Sequence, residues 1–205
     1  MSASTSNSTS SDAVVDEIVV DIDDDYRERI CNLAALRDAS YQDGRTRNQE
    51  WGADTESTRH ERGVAGELVF CEIFGVEYDG SISVSGDNGV DTEAELGGEQ
   101  KKIDVKTSKY DGWDPSLMVN QEHVEERPIT PDSYVYVHIE EDLSCARLIG
   151  YVDANDIIIE DNLAEPKSKY VSGMNYEIST RALSPLPEPD GDLLVEDVDY
   201  RVVRS

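Results

Sequence analysis

Cysteine, lysine and long apolar runs are all scarce in this chain, and each shortage removes a class of protein. The three cysteines, Cys31, Cys71 and Cys145, lie far apart and form no C-x-x-C pair. Neither a zinc knuckle nor a disulfide framework fits that spacing, and reduced, buried thiols acting as small hydrophobes are expected. No stretch approaches the ~18 consecutive apolar residues of a transmembrane helix, so no membrane is expected as a partner. The opening residues, MSASTSNSTSSD, hold no apolar run, which argues against a secretory signal. His60, His123 and His138 show no metal-ligand spacing, so a zinc or HNH-type site is not expected. The absence of a P-loop, a G-x-S-x-G elbow and a dinucleotide fingerprint disfavours NTPases, serine hydrolases and dehydrogenases.

Acid is what the chain has in excess. Of its 205 residues, 45 are Asp or Glu against 18 Lys or Arg, a formal net charge of -27. The excess is dispersed, and the cations comprise only six lysines against twelve arginines. This balance resembles that of proteins from salt-accumulating halophiles, where extreme charge keeps proteins soluble; a high-salt cytoplasm is the expected setting. A polyanionic partner is ordinarily disfavoured by such acidity. At molar salt, however, the Debye length falls to about 3 Å, so global repulsion is weak, and phosphate attraction is weakened too. Net charge therefore leaves the partner undecided. At 38% hydrophobic residues the chain can still build a core.

Patterning organises it as a single α/β unit. Residues 1–13 form a Ser/Thr-rich tail expected to be disordered, and 14–184 form the domain. Residues 185–205 are an acidic extension whose last sixteen residues have no evident place. A strand is predicted over Val14–Val20 and a helix over Asp24–Ala39, with Tyr26, Ile30, Leu33, Ala34 and Arg37 on one stripe. The polar segment Tyr41–Ser57 reads as a long loop. Thr58 and Glu61 form a capping box for a second helix, with Val64, Leu68 and Cys71 at helical spacing and Gly75 as its stop. Strands are predicted at Ser81–Ser85, Val90–Leu96, Lys101–Lys109, Leu117–Val119, Tyr134–Ile139 and Ala146–Val152. A short helix follows at Ala154–Ile159, then a strand at Asn175–Thr180.

The chemistry concentrates in GDNGVDTEAELGGEQKKIDVKTSKY, residues 86–110. Gly97-Gly98 suits a tight hairpin turn. A turn centred there sets Val90 opposite Val105, Asp91 opposite Asp104, Thr92 opposite Ile103 and Glu93 opposite Lys102. Val90, Thr92, Ile103 and Val105 then share a core face. On the other face two carboxylates confront each other, with Lys106 about 7 Å along the strand from Asp104. Such a pair calls for a hard divalent cation such as Mg²⁺, and the arrangement suits phosphodiester hydrolysis. Glu67, on the stripe of Val64, Cys71 and Phe74, would be costly to bury unpaired and is a further candidate ligand.

A helix glutamate, an acidic residue opening a strand and D-x-K on its hairpin partner resemble the PD-(D/E)XK nuclease superfamily. The segments GVAGELVFCEIFG, GDNGVD, IDVKTS, SYVYVHIEE and ARLIGYVDANDI also look like small single-domain members from phages and prokaryotic viruses, over roughly residues 58–160. Val90 stands where the motif's name has proline, no Q-x-x-x-Y element follows, and iron–sulfur cysteines are lacking. The resemblance implies a restriction-endonuclease-like core, a mixed central β-sheet flanked by helices. It further implies a Mg²⁺-dependent deoxyribonuclease of a halophilic archaeon or its virus, Mn²⁺ being a substitute ion. Asp91, Asp104, the Val105 carbonyl and Glu67 would hold metal, while Lys106 acts at the attacking water. DNA is the implied partner, and a homodimer is left open.

Arg45, Arg47, Arg59, Arg62, Lys102 and Lys109 are candidate phosphate contacts, and Trp51 and Trp113 candidate stacking residues, although a surface or packing role is the simpler reading of each. Two other classes stay open: a nuclease-like module that binds nucleic acid or protein without cleaving, and a viral structural or assembly protein using acidic strands as a surface. A structural protein would be left unchanged by Asp91→Ala or Lys106→Ala; the enzyme reading predicts lost cleavage with the fold preserved or even stabilised, because facing carboxylates repel each other without metal.

Overall fold

A computed structural model describes residues 17–44, 56–78, 89–109, 115–126, 130–166, 173–189 and 199–203. In chain order the elements begin with β1 (Glu17–Asp21), α1 (Asp24–Gly44), α2 (Glu56–Ile73), β2 (Thr92–Leu96) and β3 (Glu99–Ser108). They continue with β4 (Ser116–Asn120), α3 (Gln121–Glu126), β5 (Ser133–Ile139), β6 (Cys145–Asp153) and α4 (Ala154–Ile157). The last are β7 (Leu163–Ala164), β8 (Asn175–Ser179) and β9 (Tyr200–Val203). The fold is mixed α/β. A six-stranded sheet runs β2-β3-β5-β6-β1-β9, and a second sheet of three strands runs β4-β8-β7. In the larger sheet β3 and β5 are parallel and the other neighbours antiparallel.

Helices α1 and α2 pack on one face of that sheet. Asp23 begins α1 by accepting the N–H of Tyr26 at 2.8 Å, satisfying a donor the first turn leaves without an intrahelical acceptor. Ile30 and Ala34 of the predicted stripe are buried, and Tyr26 and Leu33 pack beside them. The helix runs on to Gly44, past the predicted end at Ala39 and into the segment read as loop. Residues 45–55, with Arg45, Arg47 and Trp51, lie outside the described residues.

Helix α2 begins at Glu56, two residues before the expected capping box, so Thr58 and Glu61 lie inside it. Its end is as expected: Val76 donates to the Cys71 carbonyl at 2.9 Å and Gly75 to that of Glu72 at 3.4 Å, the paired bonds of a Schellman stop. From Val64 to Ile73 every residue is buried, because α2 lies between α1 and the sheet. Burying Val64, Leu68, Val69, Phe70 and Ile73 contributes about 1.5–3 kcal/mol each. That sum tolerates two inward carboxylates, Glu67 and Glu72, provided each meets a cation. Arg37 pairs with Glu67 and Arg29 with Glu72, which fixes the two helices antiparallel.

Strand β5 is buried at every position, as befits a strand covered on both faces. Val135, Val137 and Ile139 join Ile103, Val105 and the helices in the main core. Tyr134 and Tyr136 turn the other way and pack with Leu117 and Val119 of β4, Ile149, Val152 and Ile157 in a second core. The predicted strand at Leu117–Val119 therefore exists but belongs to the smaller sheet. The last sixteen residues are not wholly apart: β9 pairs with β1 at the edge of the larger sheet. The predicted strand Ser81–Ser85, residues 14–16 of the first strand and the Ser/Thr-rich tail lie outside the described residues.

Candidate active site

The hairpin carries its expected register. Thr92 opposes Ile103, Glu93 opposes Lys102 and Leu96 opposes Glu99. The turn between them is made by Gly97 and Gly98 with φ of 64° and 81°, the left-handed pair a two-residue hairpin needs. Strand alternation sends Ile103 and Val105 into the core under α2 and points Asp104 and Lys106 to the opposite face, beside Tyr134.

Asp104 is buried, and Lys106 Nζ lies 2.6 Å from its Oδ1 and 2.7 Å from its Oδ2. The ammonium also sits 5.8 Å from the centroid of the Tyr134 ring, within cation–π range. The lysine is thus fixed by a carboxylate beneath it and an aromatic face beside it.

Asp91 departs from the predicted geometry. The one-to-one ladder ends at Thr92, and the Asp91 N–H donates to the carbonyl of Ile103 at 2.8 Å, the residue that Thr92 already faces. This offset is of the kind a β-bulge makes, so Asp91 does not stand directly across from Asp104. Its carboxylate instead turns to the edge of β3 and accepts the Val105 N–H at 2.7 Å. It thereby lies against the backbone of the residue between Asp104 and Lys106. Val90 and Thr92 are half-buried, less enclosed than Ile103 and Val105.

Glu67 lies on α2, over the face of the sheet opposite Asp104 and Lys106. Arg37 donates from Nη1 to its Oε1 at 2.8 Å and from Nη2 to its Oε2 at 2.5 Å, and Nη2 reaches the Tyr78 hydroxyl at 3.2 Å. The Glu67 hydrogen bonds hold the guanidinium pKa above its ordinary value against the opposing effect of burial, and the Asp91 charge acts in the same direction as Glu67. Burial, reinforced by the charge of Glu67, pushes the Tyr78 hydroxyl up to about 12, and Asp91 adds to that rise. Arg37 was legible only as a member of the α1 stripe. Its role was hidden because its partner lies thirty residues further along.

The four sequence-predicted side chains are thus arranged as Asp104 with Lys106, Asp91 at the Val105 N–H, and Glu67 with Arg37. Among the described residues no group of three or more His, Cys, Asp and Glu side chains is arranged to hold a metal ion. Mg²⁺ nevertheless needs few protein ligands, since it keeps waters and is commonly held by one or two carboxylates plus substrate phosphate. Asp91, Asp104 and the Val105 carbonyl are hard oxygen donors and fit that chemistry.

The remaining candidates are dispersed. Lys102 and Lys109 are exposed, the latter 3.2 Å from Glu141. Arg59 is half-buried, and Arg62 is buried within α2 rather than on the surface. Trp113 lies outside the described residues. Cys71 is buried, and burial chiefly pushes its thiol up to about 12; Cys31 and Cys145 are only half-buried.

Near the hairpin, Asp153 accepts Lys101 Nζ and the Ser133 hydroxyl, each at 2.6 Å. Partial burial pushes its carboxyl up, but the hydrogen bonds from Lys101 and Ser133 outweigh that and hold it below the ordinary range. A carboxyl depressed by folding stabilises the fold above its unfolded pKa of about 3.9 and loses that contribution as pH falls through the folded value. Thermal unfolding of wild type and Asp153→Asn, scanned from about pH 7 to about pH 3, should therefore show the wild-type advantage shrinking at the acid end. A constant difference would mean that these hydrogen bonds carry no charge-dependent stability.

No protein-family model, curated protein or solved structure matches the chain. No described helix is long and apolar enough to cross a membrane.

Proposed function

We propose that the chain is a Mg²⁺-dependent nuclease that hydrolyses DNA phosphodiester bonds on a restriction-endonuclease-like core, working in a high-salt cytoplasm. The observation that carries the reading is the Asp91 carboxylate on the Val105 N–H, at the point where the β2–β3 ladder ends. It brings an acidic side chain from one strand against the D-x-K segment of the next. Asp91, Asp104 and the Val105 carbonyl would hold the ion. Mg²⁺ supplies polarisation of the phosphoryl group and a lowered pKa for bound water. Lys106, anchored by Asp104 and Tyr134, orients the attacking water and offsets negative charge developing on the phosphate.

A second reading, a nuclease-like binding module or a viral assembly protein without cleavage, is favoured by one observation. Asp104 and Glu67 are each already ion-paired. Supercoiled DNA incubated in high KCl, with and without Mg²⁺ or Mn²⁺, separates the two. The enzyme nicks only with metal, and Asp104→Asn, which keeps the shape and removes the charge, loses about 10²-fold or more. Equal results from both proteins across metal and salt would leave the binding reading.

A further inference from the structure

Glu67 and Asp104 are both buried carboxylates, yet different cations hold them. Asp104 has an ammonium on a flexible stem; Glu67 has a planar guanidinium that takes both of its oxygens at once, at 2.8 and 2.5 Å. A fork of this kind fixes direction as well as charge. The Arg37 side chain is 24% exposed and that of Glu67 10%, so water screens the pair poorly, and opening it would strand a buried carboxylate. Arg37 Nη2 also donates to the Tyr78 hydroxyl at 3.2 Å.

Arg29 and Glu72 also staple α1 to α2, but Arg29 is 52% exposed and lies a full two turns earlier on α1. Arg37 sits on the inward stripe beside Ala34 and Ile30, where packing alone would favour an apolar residue. It also stands within electrostatic reach of Asp91.

We propose that Arg37 is the resident cation of the site: a positioning residue that holds both oxygens of Glu67, so that Glu67 is no metal ligand and the site takes a single divalent ion. The inference rests on the metal-dependent reading above and deepens it. A divalent ion competing for Glu67 would have to displace a bidentate, poorly solvated guanidinium, and Mg²⁺ dehydrates reluctantly. The ion is therefore left with Asp91, Asp104 and the Val105 carbonyl.

Mn²⁺ titration of the full-length protein, followed by the paramagnetic resonance of the free ion, tests this without reference to cleavage. Wild type should bind one ion, and Glu67→Gln should bind one ion with affinity within about threefold. Arg37→Met should admit a second ion or bind the first about tenfold more tightly, a change of about 1.4 kcal/mol. The double variant Arg37→Met/Glu67→Gln should return to one. A merely structural ion pair would leave both the stoichiometry and the affinity of Arg37→Met unaltered, which would overturn the assignment. A loss of about tenfold or more in Glu67→Gln would overturn it as well, and that titration decides alone if Arg37→Met does not fold. Wild type that binds no Mn²⁺ would overturn the metal site itself, a failure distinct from these.

Discussion

Lys106→Ala is expected to lose metal-dependent DNA cleavage by about 10²–10³-fold and, at the same time, to lose stability. The second half reverses the expectation from the hairpin alone, that the fold is preserved or even stabilised. The reversal follows from burial. The Asp104 side chain is 4% exposed, and both its oxygens lie within 2.7 Å of the lysine ammonium. Removing one partner of a fully buried pair costs about 3–5 kcal/mol. Here the Lys106 side chain is 27% exposed, so water would reach part of the carboxylate in its place, and about 1–3 kcal/mol is the fitting range. For a chain of this size that is a fall of roughly 5 °C in Tm. Asp104→Asn/Lys106→Met separates the two effects, because no buried charge is left alone: its Tm should lie close to that of wild type while cleavage stays absent. If Lys106→Ala melts with wild type, Asp104 is solvated by some other route. If it cleaves like wild type, Lys106 has no part in the chemistry.

The sequence made the hairpin register readable because two independent signals agreed there. A Gly-Gly turn fixes the centre, and a period-2 alternation of apolar residues fixes the face. Where only one signal operated, the reading fell short. Extending the register sets Asp91 across from Asp104, but the one-to-one ladder ends at Thr92 and the Asp91 carboxylate takes the Val105 N–H instead. Glu67 was recognised as a charge on an apolar stripe in need of a partner. Which cation answers it is a matter of helix–helix packing, and nothing local to α2 specifies Arg37. Similar limits explain the missed elements. Tyr200–Val203 is a four-residue edge strand with no alternation strong enough to stand out from an acidic segment. Gln121–Glu126 is a six-residue helix with no buried residue, so there was no apolar stripe to find. The strand at Leu117–Val119 was found, yet period alone could not assign it to the smaller sheet, since that depends on a partner, β8, some sixty residues away.

Gly66→Ala should be the most informative change outside the charged residues, and its sign runs against helix propensity. Gly66 lies inside α2, where alanine is ordinarily the better residue by roughly 0.5–1 kcal/mol. Packing decides otherwise. A Cβ at this position would stand 2.2 Å from Thr107 Cγ2 and 3.6 Å from both Val105 Cγ1 and Val137 Cβ, where carbon atoms prefer about 3.5–4.0 Å. Either α2 lifts from β3 or Thr107 leaves its rotamer. Overpacking of this kind costs about 1–3 kcal/mol, enough to outweigh the propensity gain and leave a net loss. The clash is with one methyl group, so adding Thr107→Ser, which deletes it, should restore most of the lost stability. Glu67 is the next residue on the helix, while Asp104 and Lys106 flank Val105 on the strand, so lifting α2 also moves Glu67 and Arg37 relative to Asp91. Cleavage should therefore fall with stability in Gly66→Ala and return with it in the double variant. Stability that recovers without cleavage would show that the seating of α2 governs the fold but not the alignment of the site. A Gly66→Ala protein as stable as wild type would mean that the helix does not approach β3 this closely in solution.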